Sequence, residues 1–170
     1  MFFKKSFYIS CLAILISIGS QAQQSLPNVT LQTLDGKNVD LKSSLKKGRL
    51  TVISFWATWC SPCKKELDNI KEVYAEWQEK YKTDLIAVSI DDARSVSKIS
   101  PIVKSKKWNY TILSDKNEDL KRALNFQTVP FTIVVDSEGK IVYTHNGYVE
   151  GDENDLEDKL IELSKVLDQQ

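Results

Sequence analysis

Hydrophobic and polar residues along the chain change their spacing at a few clear places, and each spacing predicts one kind of element. The almost continuous apolar run from Leu50 to Trp56 is typical of a strand buried on both faces of a sheet. From Ser61 to Tyr81, apolar residues recur every three or four positions, which predicts an amphipathic helix. A second buried strand is predicted over residues 85–90.

Shorter patterns flank this strand–helix–strand unit. Asp35 and Gly36 separate two alternating segments, residues 29–31 and 39–41, which together indicate a β-hairpin. The other predicted elements are a helical stretch over 95–107 that Pro101 should begin or interrupt, a strand over 110–113, a short helix over 117–125, a hairpin joining 131–135 to 141–143, and a C-terminal helix with leucines at 156, 160, 163 and 167. This order predicts an α/β protein: a mixed central sheet flanked by helices, with an added N-terminal β-hairpin.

The first 22 residues have the layout of a secretory signal. Two early lysines precede an apolar run over 7–18, and residues 20–22 (Ser-Gln-Ala) offer a small-x-small cleavage site. The run is shorter than the roughly 20 residues of a membrane span. We therefore predict that residues 1–22 are cleaved, that residues 23–170 form a single domain, and that the protein is periplasmic or otherwise outside the cytoplasm. An uncleaved N-terminal segment that anchors the protein in a membrane is the alternative.

The composition narrows the possible partners. A chain of 170 residues with 42% apolar and 27% charged residues has the size and balance of one globular domain. Lys plus Arg and Asp plus Glu both number 23, so neither a basic excess for nucleic acid nor an acidic tail is present. We expect a monomer without a nucleic-acid partner.

The most informative feature is the pair Cys60 and Cys63, spaced Cys-x-x-Cys where the first buried strand gives way to the helix. Helix N-termini favour negative charge, so the pKa of Cys60 should lie below the ~8.5 of a free cysteine. Cys60 would attack a disulfide and the less exposed Cys63 would resolve the mixed disulfide. Pro62 suits a first helical turn, and Trp59 supplies a flat apolar surface beside the nucleophile.

Other uses of these thiols are less favoured. Cleavage of residues 1–22 would remove Cys11 and leave two cysteines and the distant His145, which are too few ligands for structural zinc. A purely structural disulfide that closes so short a loop would gain little entropy from the unfolded state. Unless something keeps it reduced, this pair would oxidise in an exported protein, so we expect an electron donor.

The string Phe-Trp-Ala-Thr-Trp-Cys-Ser-Pro-Cys-Lys-Lys-Glu-Leu, which begins at Phe55, resembles the thioredoxin superfamily and most of all its exported TlpA/ResA-type thiol–disulfide oxidoreductases. A second match lies at residues 128–132 (Thr-Val-Pro-Phe-Thr), followed by 136–140 and Gly147. The resemblance covers about residues 26–168. It implies a thioredoxin-like fold, no cofactor, and a membrane-bound electron donor.

The resemblance also implies roles for individual residues. Val129-Pro130 would be a cis peptide that faces the thiols, with Pro130 bordering the substrate groove and Val129 pairing with the substrate backbone. An ordinary turn proline before a strand is the alternative, since X-Pro bonds are usually trans.

Glu66 is a third candidate for catalysis. It follows Cys63 by three residues, on the helix face that Cys63 shares with Ile70. Desolvation on that face would raise its pKa and let it exchange a proton with Cys63. TlpA/ResA-type proteins carry a functional glutamate at the matching place, whereas ordinary thioredoxins use an aspartate where this chain has Ser54. A first-turn glutamate that only complements the helix dipole is the alternative.

Five further residues are weaker candidates. Asp91 and Asp92 end a strand and would either face the site or make a turn. We expect His145 at the surface, Trp77 in the core, and Trp108 at the border of the groove.

The leading functional hypothesis is an exported reductase of protein disulfides or of the cysteine pairs of apocytochrome c. A disulfide-forming oxidant stays open, because potentials in the superfamily run from about −270 to −120 mV and Ser-Pro between the cysteines does not fix the value. A peroxidase is disfavoured, since Ala57 stands where a threonine is expected and no proline lies between Pro27 and Cys60. A copper chaperone using His145 is disfavoured because such proteins usually place three residues between their cysteines.

Overall fold

The computed structural model describes residues 24–167. The predicted signal segment, residues 1–22, lies outside the described residues, so its cleavage stays a prediction. Among residues 24–167, no helix is both long and apolar enough to cross a membrane. The same residues form seven strands, β1 (Thr30–Thr33), β2 (Asn38–Asp40), β3 (Leu50–Trp56), β4 (Thr83–Ser89), β5 (Thr111–Ser114), β6 (Phe131–Val135) and β7 (Ile141–Asn146), and four α-helices, α1 (Ser61–Lys80), α2 (Ile99–Lys106), α3 (Asp119–Leu124) and α4 (Asp152–Leu167).

All seven strands join one mixed sheet in the order β2-β1-β5-β4-β3-β6-β7. Strands β3, β4 and β5 are parallel, while β6 and β7 continue the sheet antiparallel on the far side of β3. The hairpin of β1 and β2 extends the other edge, with β1 antiparallel to β5. This arrangement confirms the predicted α/β class, the mixed sheet and the added N-terminal hairpin.

Strands β3 and β4 lie at the centre and every one of their residues is buried. Helix α1 packs its apolar face on the sheet, with Leu67, Ile70 and Trp77 fully buried. Burying each of these large side chains contributes on the order of 1.5–3 kcal/mol to folding. The prediction that Trp77 belongs to the core is confirmed.

Several element boundaries differ from the sequence prediction by a few residues, and two of these differences have identifiable reasons. Strand β4 begins at Thr83, before the apolar run, because Asp84 is buried as an ion partner of Arg49, with Nε and Oδ2 2.7 Å apart. A short 3-10 turn, Val96–Lys98, precedes α2. Pro101 therefore lies in the first turn of α2, where a missing backbone N–H breaks no intrahelical hydrogen bond.

Candidate active site

The two cysteines form a disulfide at the N-terminus of α1, with their Cα atoms 5.4 Å apart. Cys60 is the N-cap residue, and its sulfur accepts a hydrogen bond from the backbone N–H of Cys63 at 3.3 Å. Cys63 is fully buried, whereas 4% of Cys60 and 67% of the neighbouring Trp59 are exposed. The predicted position of Cys60 at the strand–helix junction and the lower exposure of Cys63 are both confirmed.

The loop that leads into Cys60 is fixed by a buried carboxylate. Asp91, at the end of β4, accepts hydrogen bonds from the Thr58 backbone N–H at 2.8 Å and from the Thr58 hydroxyl at 2.7 Å. The hydroxyl of Ser89 donates to the same carboxylate at 2.7 Å. On the other side, the Lys64 ammonium donates to the Thr58 carbonyl at 2.9 Å. Asp91 therefore lies beside the site and holds the segment that carries the first cysteine.

The neighbouring acid has a different role. Asp92 accepts from the backbone N–H groups of Arg94 and Ser95 and makes a turn. Of the two outcomes left open for these strand-end acids, the structure places Asp91 at the site and Asp92 in the turn.

Glu66 lies on the predicted face of α1, which it shares with Cys63 and Ile70, and the structure shows that it is buried there. Its carboxylate accepts hydrogen bonds from the Ser54 hydroxyl on β3 at 3.1 Å and from the Thr132 hydroxyl on β6 at 2.7 Å. Burial raises the pKa of Glu66 from 4.5 to about 7, because the two hydroxyls offset only part of the cost of burying the charge. The serine that replaces the aspartate of ordinary thioredoxins thus supports the glutamate directly.

Behind Glu66 lies a small cavity of about 10 Å³, with room for about one water molecule. Its remaining walls come from β6, β7, α4 and the next turn of α1, and they are Ile70, Thr132, Tyr143, His145, Asp152, Glu153 and Leu156. His145, expected at the surface, is half-buried here, with its Nε2 atom 3.1 Å from Asp152 Oδ2. The sequence carried no signal for this cavity, because it depends on how β7 and α4 pack behind α1.

Val129-Pro130 is a cis peptide, as the resemblance implied. Pro130 is buried and Val129 is half-buried immediately before β6. Because β6 runs antiparallel to β3, with Phe131 opposite Phe55, this peptide lies at the same end of the sheet as the Cys60 loop. The backbone N–H of Gly147 donates to the Pro130 carbonyl at 2.9 Å and ties the start of β6 to the end of β7.

The expectation that Trp108 borders the groove is wrong. Its ring is buried against Trp56, with centroids 5.0 Å apart in an edge-on arrangement. Its indole N–H donates to Asp68 on α1 at 2.9 Å. The connection from α2 to β5 thus directs this side chain into the core, where its polar atom finds a partner.

The described residues also limit what else the site could hold. Among residues 24–167, no group of three or more His, Cys, Asp or Glu side chains is placed to hold a metal ion. The reactive groups that the structure brings together at this end of the sheet are two sulfurs and the buried Glu66 carboxyl group, with the buried Asp91 carboxylate holding the adjoining loop.

Comparison with known proteins agrees with this chemistry. The Redoxin family matches residues 21–160. The thiol-disulfide oxidoreductase ResA of Bacillus cereus is 30% identical over 127 residues, which span 75% of this chain and 68% of that protein. The solution structure of a thioredoxin-like protein from Porphyromonas gingivalis is 45% identical, with a TM-score of 0.73, and the match covers 82% of this chain and 92% of that one.

A thiol-disulfide oxidoreductase from Bacteroides fragilis shares the fold at 21% identity, with a TM-score of 0.67 and coverage of 82% of this chain and 99% of that one. The family match, the ResA relative and the disulfide at the head of α1 lead to one conclusion. The chain belongs to the Redoxin family of the thioredoxin superfamily and is a thiol–disulfide oxidoreductase of the TlpA/ResA type.

Proposed function

We propose that this oxidoreductase is exported and reduces disulfides in other proteins, with Cys60 as nucleophile, Cys63 as resolving thiol and Glu66 as proton acceptor. The observation that carries the proposal is the disulfide at the N-terminus of α1, with a buried carboxyl group one turn further along the same face. A carboxyl group whose pKa is about 7 can both accept and release a proton near neutral pH.

The proposed reaction moves two electrons in two steps. The Cys60 thiolate attacks one sulfur of a substrate disulfide, and the other substrate sulfur leaves as a thiolate that takes a proton from water. Cys63 then loses its thiol proton to Glu66, and its sulfur attacks the sulfur of Cys60. The second substrate sulfur leaves as a thiolate, and the Cys60–Cys63 disulfide forms. A separate donor must return the two electrons before the next cycle.

The surroundings of Cys60 support binding of an extended protein segment. Trp59 offers an exposed apolar ring beside the nucleophile, and such rings supply much of the contact energy at protein interfaces. Val129 and Pro130 lie at the same end of the sheet and would contact the substrate backbone. We infer that these three residues form the substrate side of the site.

Export and direction of electron flow belong to the same proposal. The signal-like residues 1–22 support a location outside the cytoplasm, with an uncleaved anchor as the alternative. In that location a dithiol needs an electron source, for which we propose a membrane-bound donor. Cys-x-x-Cys pairs of apocytochrome c, the haem attachment motif, are the specific substrate we propose, and the protein would act as a monomer.

Insulin reduction with dithiothreitol as donor tests the chemistry. Cys60→Ser should abolish turnover, and Cys63→Ser should accumulate a mixed disulfide with the substrate, because the resolving thiol is missing. Glu66→Gln should slow turnover about a hundredfold at pH 7, the lower end of what general base catalysis contributes. Glu79→Gln, an exposed change on the same helix, is the matched control and should leave the rate unchanged.

Two outcomes would contradict the proposal. Full turnover by Cys60→Ser would remove Cys60 as nucleophile, and full turnover by Glu66→Gln would remove the carboxyl group as proton acceptor. The direction of electron flow is decided by the reduction potential of the Cys60–Cys63 pair in glutathione or dithiothreitol buffers. A value near −270 mV, at the low end of the superfamily range, supports a reductase, and one near about −120 mV means an oxidant.

A further inference from the structure

The cavity behind Glu66 lies between the buried carboxyl group and the pair formed by His145 of β7 and Asp152 of α4. The two carboxylate oxygens of Glu66 accept hydrogen bonds from the hydroxyls of Ser54 and Thr132, and all three residues are at most 3% exposed. Thr132 and His145 are directly opposite each other in the register of β6 and β7, so their side chains lie on the same face of the sheet. Glu66 and His145 therefore face one cavity from two elements.

His145 is held in place from two further directions. Its Nε2 atom pairs with Asp152 of α4, whose Oδ2 atom also accepts from the backbone N–H of Val149 at 2.8 Å. Its ring is parallel to that of Tyr143, with centroids 6.5 Å apart. About a third of the His145 side chain is exposed, so the imidazole reaches both the solvent and the cavity.

The titratable groups that face this cavity are Glu66 from α1, Tyr143 and His145 from β7, and Asp152 and Glu153 from α4. Burial raises the pKa of Tyr143, so its phenol stays neutral near pH 7. The Glu153 carboxylate is occupied by hydrogen bonds from Tyr148 and Asn69. Asp152 is paired with His145 itself. This leaves His145 as the group on these walls that can present a positive charge to Glu66.

We infer that His145, held by Asp152 across the cavity, sets the pH at which Glu66 accepts the proton of Cys63. This inference rests on the proposed role of Glu66. A protonated imidazole in this cavity would stabilise the carboxylate form of Glu66, as the two hydroxyl hydrogen bonds do, whereas the charge of Asp152 acts in the opposite direction. His145 is thus a positioning and tuning residue that acts through Glu66 and does not touch the sulfurs.

The step can be observed by itself with an aromatic disulfide reagent, dithiobis(nitrobenzoate). In the first phase the Cys60 thiolate attacks the reagent, which releases one coloured thiolate and leaves a mixed disulfide. In the second phase Cys63 gives its proton to Glu66 and its sulfur attacks Cys60, which releases a second coloured thiolate and closes the disulfide. The full chain with Cys11→Ser is used, so that Cys60 and Cys63 are its only thiols.

The pH profile of the second phase tests the inference with two substitutions, one that removes the cation and one that keeps it. His145→Gln removes the cation and should move the midpoint upward by about half to one pH unit. At pH values below the midpoint, the rate of the second phase should then be about three- to tenfold lower than in the wild type. His145→Lys keeps a cation and should leave the midpoint at or below that of the wild type. A purely structural role of the imidazole would make both substitutions act alike.

Lys65→Gln is the matched control, because it also removes a cation and lies next to Glu66 in the sequence. The Lys65 side chain is 53% exposed, so solvent screens its charge from Glu66. It should leave the midpoint unchanged. A midpoint in His145→Gln that equals the wild type, or equal shifts in His145→Gln and His145→Lys, would overturn the inference. If Glu66→Gln keeps the wild-type profile, the proposed proton acceptor fails and the inference fails with it. If Glu66→Gln changes the profile but the two His145 variants keep the wild-type midpoint, the proposed function stands and only the tuning role of His145 is wrong.

Discussion

Replacing Glu66 with glutamine should make the oxidised protein more stable at neutral and alkaline pH. The native state raises the pKa of Glu66 from 4.5 to about 7, so it holds this proton more tightly than the unfolded chain does. The group therefore favours folding below pH 4.5, and that contribution is lost as the pH rises from about 4.5 to about 7. At about 1.4 kcal/mol for each unit of pKa, the loss is about 3 kcal/mol.

Glutamine has the same shape and no charge to bury, so the variant avoids this loss. Its amide can accept from one of the two hydroxyls and donate to the other, because a hydroxyl serves as donor or acceptor. We therefore expect similar stabilities for wild type and Glu66→Gln near pH 4.5, and an advantage of about 3 kcal/mol for the variant at pH 8. Such a difference is a large part of the 5–15 kcal/mol typical of a domain.

Urea unfolding of the oxidised protein, followed by tryptophan fluorescence between pH 4.5 and 8.5, measures this difference. Glu79→Gln on the exposed side of α1 is the control and should follow the wild type at every pH. A difference between Glu66→Gln and the wild type that is the same at pH 4.5 and pH 8 would mean that Glu66 titrates alike in the folded and unfolded chains, contrary to this prediction.

Two further substitutions separate support of the site from contact with substrate. Asp91→Asn should lower the free energy of unfolding by about 2 kcal/mol in urea titrations, since an amide cannot accept all the hydrogen bonds that Thr58 and Ser89 donate. An unchanged free energy of unfolding would mean that other contacts hold the loop. Trp59→Ala should change stability by less than about 0.5 kcal/mol, because its ring is 67% exposed, yet raise the KM for insulin. An unchanged KM would place the substrate elsewhere.

The central part of the fold could be read from the sequence because its signals are local. The apolar run of β3 and the helical spacing after Ser61 each depend on neighbouring residues only, and both elements have the predicted bounds at their junction. The position of Cys60 as N-cap follows from that junction. The helix face of Glu66 was predictable as well, because the helix period places it with Cys63, whereas its burial depends on the packing of α1 against β3 and β6.

The rest of the site depends on contacts between segments far apart in the chain. The position of His145 opposite Thr132 follows from the register of β6 and β7, which an irregularity between Val134 and Val135 shifts. No local pattern reveals such a shift, so His145 was expected at the surface. Trp108 was misplaced for a related reason, because its partner Asp68 lies 40 residues earlier on α1.

The sulfur of Cys60 is expected to be acidic because it caps the N-terminus of α1. This acidity is measured by the pH dependence of iodoacetamide alkylation in the reduced chain carrying Cys11→Ser and Cys63→Ser, where Cys60 is the only cysteine. We predict a midpoint below the ~8.5 of a free cysteine and, at pH 6.5, a rate about tenfold above that of an unstructured cysteine peptide. A midpoint of ~8.5 with the rate of the peptide would show that the helix N-terminus does not make Cys60 acidic.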